Sequence, residues 1–163
     1  MCKAVKNYNI KNEETATMKF RGENLFLSNF YEGKVFTYRG HKFTNSEAAF
    51  HAEKCWERVS EFELERPSQS KRLGRKVKMR EDWEDVKDKV MYNVCYAKFT
   101  QDRNLLEKLL QTEGRELVEG NTHGDRCWGM TYSQKYKMWI GENRLGIVLM
   151  KLREDLKGGI YNG

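Results

Sequence analysis

Residues Thr44–Trp56 read TNSEAAFHAEKCW, and the reading of that stretch decides where a central helix begins and what its polar face is for. Thr44 followed three residues later by Glu47 has the S/T-x-x-E form of a capping box, in which the N-cap hydroxyl and the N3 carboxylate satisfy two free backbone N–H groups. On that reading Glu47 only starts a helix. At helical spacing, however, Glu47, Phe50, His51 and Lys54 share one stripe, while Ala48, Ala52, Cys55 and Val59 share another with Ala49 and Trp56 on its flank. The Glu47 stripe is an unusual mixture for a solvated face. Glu47 is therefore a candidate cap and a candidate catalyst.

Working outward, GKVFTYRGHKF at residues 33–43 alternates apolar and polar side chains about Arg39-Gly40, which predicts a hairpin. MKF at Met18–Phe20 predicts a further short strand. Helices are expected over Ser46–Val59, Ser70–Met79, Trp83–Thr100 and Asp102–Gln111. Within the third, Val86, Val90, Val94 and Ala97 recur at helical spacing and mark a core face. ELVEG at Glu116–Gly120 can form a short strand, residues 121–143 read as a long loop or loop pair punctuated by glycine, and NRLGIVLMKLREDL predicts a closing helix. The polar residues 1–17 form a loosely held arm on this reading, residues 18–156 the domain, and residues 157–163 a flexible tail. The fold class expected is α+β: a single compact, mainly helical domain with a small sheet or hairpin.

A chain of 163 residues buries roughly 70% of its unfolded surface as one domain and needs no staple. Its four cysteines are scattered without a C-x-x-C pair, and no window approaches a membrane span, so a reduced, cytoplasmic protein with no membrane partner is expected. Oligomeric state is not legible. The 30 Lys and Arg exceed the 24 Asp and Glu, a formal charge of +6 that attracts phosphates, nucleotides or nucleic acid without choosing among them. There is no GxxxxGK[ST] or GxGxxG, and His41, His51 and His123 do not sit with cysteines at zinc spacing, so neither a metal nor a cofactor is expected.

DRCWG at Asp125–Gly129 places a carboxylate three residues from an indole, residue types that suit a site gripping a base or sugar while an acid manages charge. The competing reading makes Trp128 a core anchor and Asp125 a turn former. In REDWEDVK, at Arg80–Lys87, the association of acid and indole recurs; there Asp82 is a good N-cap and Trp83 can simply pack.

Seven ordered blocks now carry a resemblance: LSNFY (Leu27–Tyr31), FTNSEAAFHAEK (Phe43–Lys54), MREDWEDVKDKVM (Met79–Met91), KFTQDRNLLEKLLQT (Lys98–Thr112), LVEG (Leu117–Gly120), DRCWG, and GENRLGIVLMKLR (Gly141–Arg153). Together they resemble the NADAR (YbiA-like) family of N-glycosidases over about Met18–Arg153. The resemblance implies cleavage of a bond between ribose and a nitrogen base. It implies catalytic roles for Glu47 and Asp125 and substrate contacts from Trp83, Trp128, Asn29 and Lys54. The substrate expected is ADP-ribosylated guanine in DNA, with a phosphorylated riboside of early riboflavin synthesis as the alternative, and a non-catalytic ADP-ribose or nucleic-acid binding module as the reading from another class. The loop Met130–Gly141 departs from relatives, which often have a shorter glycine-containing link there.

Overall fold

The computed structural model describes residues 6–160. By contacts the chain divides into two units, Asn29–Leu109 and the remainder, taken here in turn. The class is α+β, mainly helical with two small antiparallel hairpins.

In the Asn29–Leu109 unit, β1 (Phe36–Tyr38) and β2 (His41–Phe43) pair with Phe36 opposite Phe43 and Tyr38 opposite His41. The two-residue connection has positive φ at both positions, 48° at Arg39 and 79° at Gly40, as the tight turns that match strand twist require. Gly40 adopts this freely. The outer edge of β1 is covered by Gln101, whose side chain accepts from Thr37 N and donates to Thr37 O at 2.8 and 2.7 Å, blunting an edge that would otherwise pair with another strand.

Helix α1 (Ser46–Ala52) packs against α2 (Pro67–Gly74) and α3 (Trp83–Thr100). Its Ala48, Ala49 and Ala52 are wholly buried, so close approach explains the small side chains. The α3 limits match the sequence expectation, because Val90, Met91, Val94, Cys95 and Ala97 form one buried stripe. Two other helices differ from it. Helix α1 stops at Ala52 rather than Val59: Glu53 enters a buried cluster, accepting from the Tyr38 hydroxyl at 2.7 Å and from Arg39 and Arg80 at 3.0 and 3.3 Å. Cys55 then leaves helical geometry (φ −150°, ψ 81°), and Trp56–Glu61 continue as a 3₁₀ segment. Helix α2 begins at Pro67 and ends at Gly74, not over Ser70–Met79; proline is preorganised for a first helical turn and glycine is a poor continuation. Helix α4 (Arg103–Gln111) follows, with Asp102 Oδ1 accepting from Asn104 N and Leu105 N.

In the second unit, β3 (Met130–Ser133) and β4 (Met138–Gly141) form a hairpin where the sequence suggested only loop. Its alternation is too short to stand out. Helix α5 (Arg144–Ile160) is anchored by Arg153, whose buried Nη1 donates to Thr112 O at 2.8 Å and Arg115 O at 2.9 Å. Asn143, fully buried, bonds both Glu119 N and Leu117 O. The expected strands at Met18–Phe20 and Glu116–Gly120 reduce to isolated parallel bridges, Thr17 with Leu117 and Gly120 with Met130. Part of the expected arm 1–17 is held within this unit, since Tyr8 N donates to Gly141 O, Lys11 N to Glu116 Oε1 and Thr17 N to Glu116 O at 2.7–3.0 Å. Of the expected tail 157–163, residues 157–160 continue α5. Residues 1–5 and 161–163 of these two segments lie outside the described residues. No helix among the described residues is long and apolar enough to cross a membrane.

The α1 N-cap is Asn45, not Thr44: Asn45 Oδ1 accepts from Ala48 N at 2.8 Å, and its Nδ2 donates to Glu65 O at 2.8 Å. Thr44 Oγ1 makes only a 3.2 Å bond to Asn45 Nδ2. Asn45→Ala should therefore lower stability by about 1–3 kcal/mol, a lost cap plus a buried carbonyl left unmet. Thr44→Ala should cost about 0.5 kcal/mol or less; urea denaturation of the two variants checks the assignment.

Candidate active site

Glu47 is released from the capping role. Its backbone N donates to Asn29 O at 3.1 Å, and its carboxylate is paired instead with His51, one turn along α1. His51 Nε2 lies 2.7 Å from Glu47 Oε1, with the side chains only 8% and 12% exposed. His51 Nδ1 is buried without a hydrogen-bond partner. The proton is therefore assigned to Nε2, which donates to the carboxylate, because a proton on Nδ1 would be buried with no acceptor. The second Glu47 oxygen, Oε2, has no partner among the described residues. One oxygen is thus held and the other is unengaged among the described residues.

Gly74, at the C-terminus of α2, makes room for the imidazole. A Cβ there would fall 2.2 Å from His51 Nδ1 and 2.6 Å from Cγ. The close packing of α1 on α2 sets the ring, and the ring sets the carboxylate.

Lys54 and Trp83 join this face. Trp83, the first residue of α3, is buried and packs against Phe50 with ring centroids 5.0 Å apart. Lys54 Nζ lies 5.7 Å from the Trp83 centroid and 5.9 Å from that of Phe50, within cation–π range. Burial pushes the Lys54 ammonium below its ordinary pKa, and the charge of Glu47 opposes that shift. No carboxylate among the described residues forms an ion pair with it. Asn29 supports the same face from beneath: Ser46 Oγ donates to its Oδ1 at 2.8 Å, and its Nδ2 faces Met91 Sδ at 3.5 Å. The Asn29 side chain is occupied in fixing the start of α1.

Of the residues singled out in the sequence, this unit brings together Glu47, Lys54, Trp83 and Asn29. His51 was not among them. Its signal was the i, i+4 spacing from Glu47 on one stripe, but a histidine on a helix is not distinguished by spacing from a packed one.

Asp125 and Trp128 lie in the second unit and are described by themselves. Asp125 Oδ1 accepts from both Cys127 N and Trp128 N at 3.0 Å. Asn121 clasps the same loop, accepting from Asp125 N at 3.0 Å and donating to Asp125 O at 2.8 Å. The turn-forming role of Asp125 is therefore real. Trp128 is half-buried, and its carbonyl accepts from Leu145 N of α5. Gly129 is required here, since a Cβ would meet Glu119 O at 2.2 Å. Cys55 and Cys95 are free and buried. Burial pushes the Cys95 thiol up to about 11, which makes it a poor nucleophile. Among the described residues no three His, Cys, Asp or Glu side chains converge as a metal site would need.

The fold is thus mainly helical α+β, and one of its units sets a histidine-held glutamate on a face with a lysine and an indole. The NADAR domain family matches residues 15–157. The chain is 38% identical over 122 residues to the N-glycosidase YbiA of Escherichia coli (strain K12), covering 72% of each chain. It is 35% identical over 137 residues to a riboflavin biosynthesis protein of Vibrio vulnificus, covering 81% of this chain and 35% of that protein. The NMR structure of E. coli YbiA superposes with a TM-score of 0.73 at 30% identity, over 93% of this chain and 94% of that one. The chain belongs to the NADAR domain family and is an N-glycosidase of the YbiA kind.

Gly74→Ala should displace the His51 ring and loosen the Glu47 carboxylate. Turnover should fall at least tenfold, since small misplacements of catalytic groups are costly. A second change, Gly74→Ala with His51→Ala, opens space for the new methyl; it should recover thermal stability but not rate. Activity assays and melting curves on both variants read this out.

Proposed function

We propose that the protein hydrolyses the bond between ribose and a nitrogen base in a phosphorylated riboside, and that its substrate is ADP-ribosylated guanine in DNA. The observation that carries the chemistry is the Glu47 carboxylate with Oε1 fixed by His51 and Oε2 unengaged. Breaking the C1′–N bond sends its electron pair to the departing base and leaves oxocarbenium character on the sugar. Glu47 stabilises that cation and takes a proton from the attacking water as its oxygen bonds to C1′.

Lys54 is suited to the other half. An ammonium destabilised by burial releases its proton more readily, so Lys54 protonates the leaving base. Trp83, packed on Phe50 and beneath the Lys54 ammonium, contributes a wall for a planar base or the ribose. The family resemblance separately assigns Asp125 and Trp128, in the other unit, as an acid group and an aromatic plane. Asn29 acts by holding Glu47 rather than by direct contact.

The excess of basic residues supports a nucleic-acid-borne substrate. The name of the Vibrio vulnificus relative supports a second reading, a ribosylamino-pyrimidine phosphate of riboflavin synthesis. Incubation with guanine-ADP-ribosylated DNA and with ribosylamino-pyrimidine phosphates, followed by mass spectrometry of the released base, decides between them. Release from neither overturns both.

Glu47→Gln should abolish turnover while unfolding at nearly the same urea concentration, because the amide is isosteric and no cap is lost. Near-normal kcat in that variant would remove Glu47 from the mechanism. Lys54→Gln should lower kcat by about 10²–10⁴-fold and remove the alkaline limb of the pH–rate profile, since the wild-type rate falls as pH rises through the lysine's depressed pKa. A retained limb would assign proton donation elsewhere.

Asp125 can be tested separately from its turn. Asp125→Asn keeps an oxygen for Cys127 N and Trp128 N and removes only the charge. Asp125→Ala loses both bonds and should cost about 1–3 kcal/mol. A catalytic Asp125 predicts a large kcat loss in both variants; a structural one predicts normal kinetics for Asp125→Asn and early melting for Asp125→Ala alone.

A further inference from the structure

The β3–β4 hairpin exposes aromatic rings among cations, and catalysis as derived above makes no use of it. Tyr132 is 43% exposed, Tyr136 61% and Met138 47%. From Arg126 to Gly141 the chain carries Arg126, Lys135 and Lys137 and no acidic residue. We propose that this hairpin is a platform for single-stranded nucleic acid, with Tyr132 and Tyr136 stacking on bases and the three cations lying along the phosphate backbone.

The rings are held in place. Tyr132 and Trp139 are cross-strand partners with centroids 5.7 Å apart and planes at 74°. Trp139 is seated over Gly120, where a Cβ would come within 3.2 Å of its ring. The inner indole thus props the outer phenol. At the tip, Tyr136 N donates to Ser133 Oγ at 3.2 Å, and Lys137 takes a left-handed conformation with φ 53°. Lys135 Nζ lies 5.2 Å from the Tyr136 centroid. Arg126 Nε donates to Thr131 Oγ1 at 2.8 Å, which lays its guanidinium along β3.

Between its flanking carboxylates, Asp125 and Glu142, the hairpin itself presents exposed phenols beside cations and carries no acidic side chain of its own. A preorganised aromatic plane accepts any base, because every base has a stacking face, and nearby cations follow the backbone without reading sequence. A single strand is favoured over a duplex because stacking on a side chain needs an unpaired base. The β3 strand leaves directly from the loop that carries Asp125 and Trp128, within the same unit. The proposal deepens the reading of a nucleic-acid-borne substrate and rests on it for why a strand should approach.

Binding can be measured without turnover, by fluorescence anisotropy with an end-labelled single-stranded DNA of roughly 10 nucleotides, a length within the usual site size, bearing no ADP-ribose. Wild type should bind. Tyr132→Ala and Tyr136→Ala should each weaken binding roughly 5- to 150-fold, and Tyr132→Phe should not. Lys135→Gln with Lys137→Gln should flatten the dependence of log Kd on log salt by about 1.4, two phosphate contacts on a single strand. All four side chains are exposed, so melting curves and turnover of a small phosphorylated riboside should match wild type. A wild-type protein that does not bind the oligonucleotide, or tyrosine variants that bind as wild type does, would overturn the proposal. Strand binding retained by a protein that releases base from neither ADP-ribosylated DNA nor a ribosylamino-pyrimidine phosphate would support the hairpin and sink the proposed substrates instead.

Discussion

Asn45 has no exposed surface, and its side chain closes two circuits at once: it caps α1 through Ala48 N and ties the helix start to the carbonyl of Glu65. Asn29 adds a second constraint one residue on, accepting from Ser46 Oγ with its side chain and from Glu47 N with its carbonyl. A helix has only 100° between successive residues, so fixing where α1 starts fixes the azimuth of every later side chain. Glu47, Phe50 and His51 all point where they do because of these two asparagines. A start displaced by one residue would turn the carboxylate out of reach of the Trp83 face.

The arrangement is not the most stable one available. His51 Nδ1 is buried without a partner, and Lys54 holds a half-buried ammonium over two aromatic rings with no ion-paired carboxylate among the described residues. A buried polar atom left unmet, as His51 Nδ1 is, costs about 1–3 kcal/mol. Glu53 in the same unit, also buried, has three donors. The contrast between Glu53 and Glu47, six residues apart, separates a structural carboxylate from one with an oxygen to spare. Local departures from satisfaction at a site are what preorganised catalysis requires.

Legibility in the sequence followed the strength of the local signal. Helix α3 was legible to the residue because a long apolar stripe begins beside a proline-free acidic turn, and the Arg39-Gly40 turn because few dipeptides accept two positive φ values. The capping box at Thr44 was misread: two adjacent residues can both cap, and only the carbonyl of Glu65, twenty residues away, favours Asn45. The end of α1 was missed because its cause is tertiary, the buried cluster around Glu53. The β3–β4 hairpin was read as loop because its strands are four residues long and carry exposed aromatics on a face that a core pattern would leave polar. For the site, the resemblance of ordered blocks supplied Glu47, Lys54 and Trp83. His51 needed the packing of Gly74 against its ring, which no pattern in one sequence encodes.

The two carboxylates singled out together turn out to be held by different physics. Asp125 spends one oxygen on two consecutive backbone N–H groups, an arrangement in which the carboxylate is local scaffolding whatever else it does. Removing it loosens the loop that positions Trp128. Glu47 receives its bond from a side chain on its own helix, and that helix is already capped by another residue, so nothing in the backbone depends on its charge. Catalysis needs a group whose protonation can change without unfolding its surroundings. Glu47 meets that condition and Asp125 meets it only through its second oxygen, which is the physical ground for proposing Glu47, ahead of Asp125, as the reacting carboxylate.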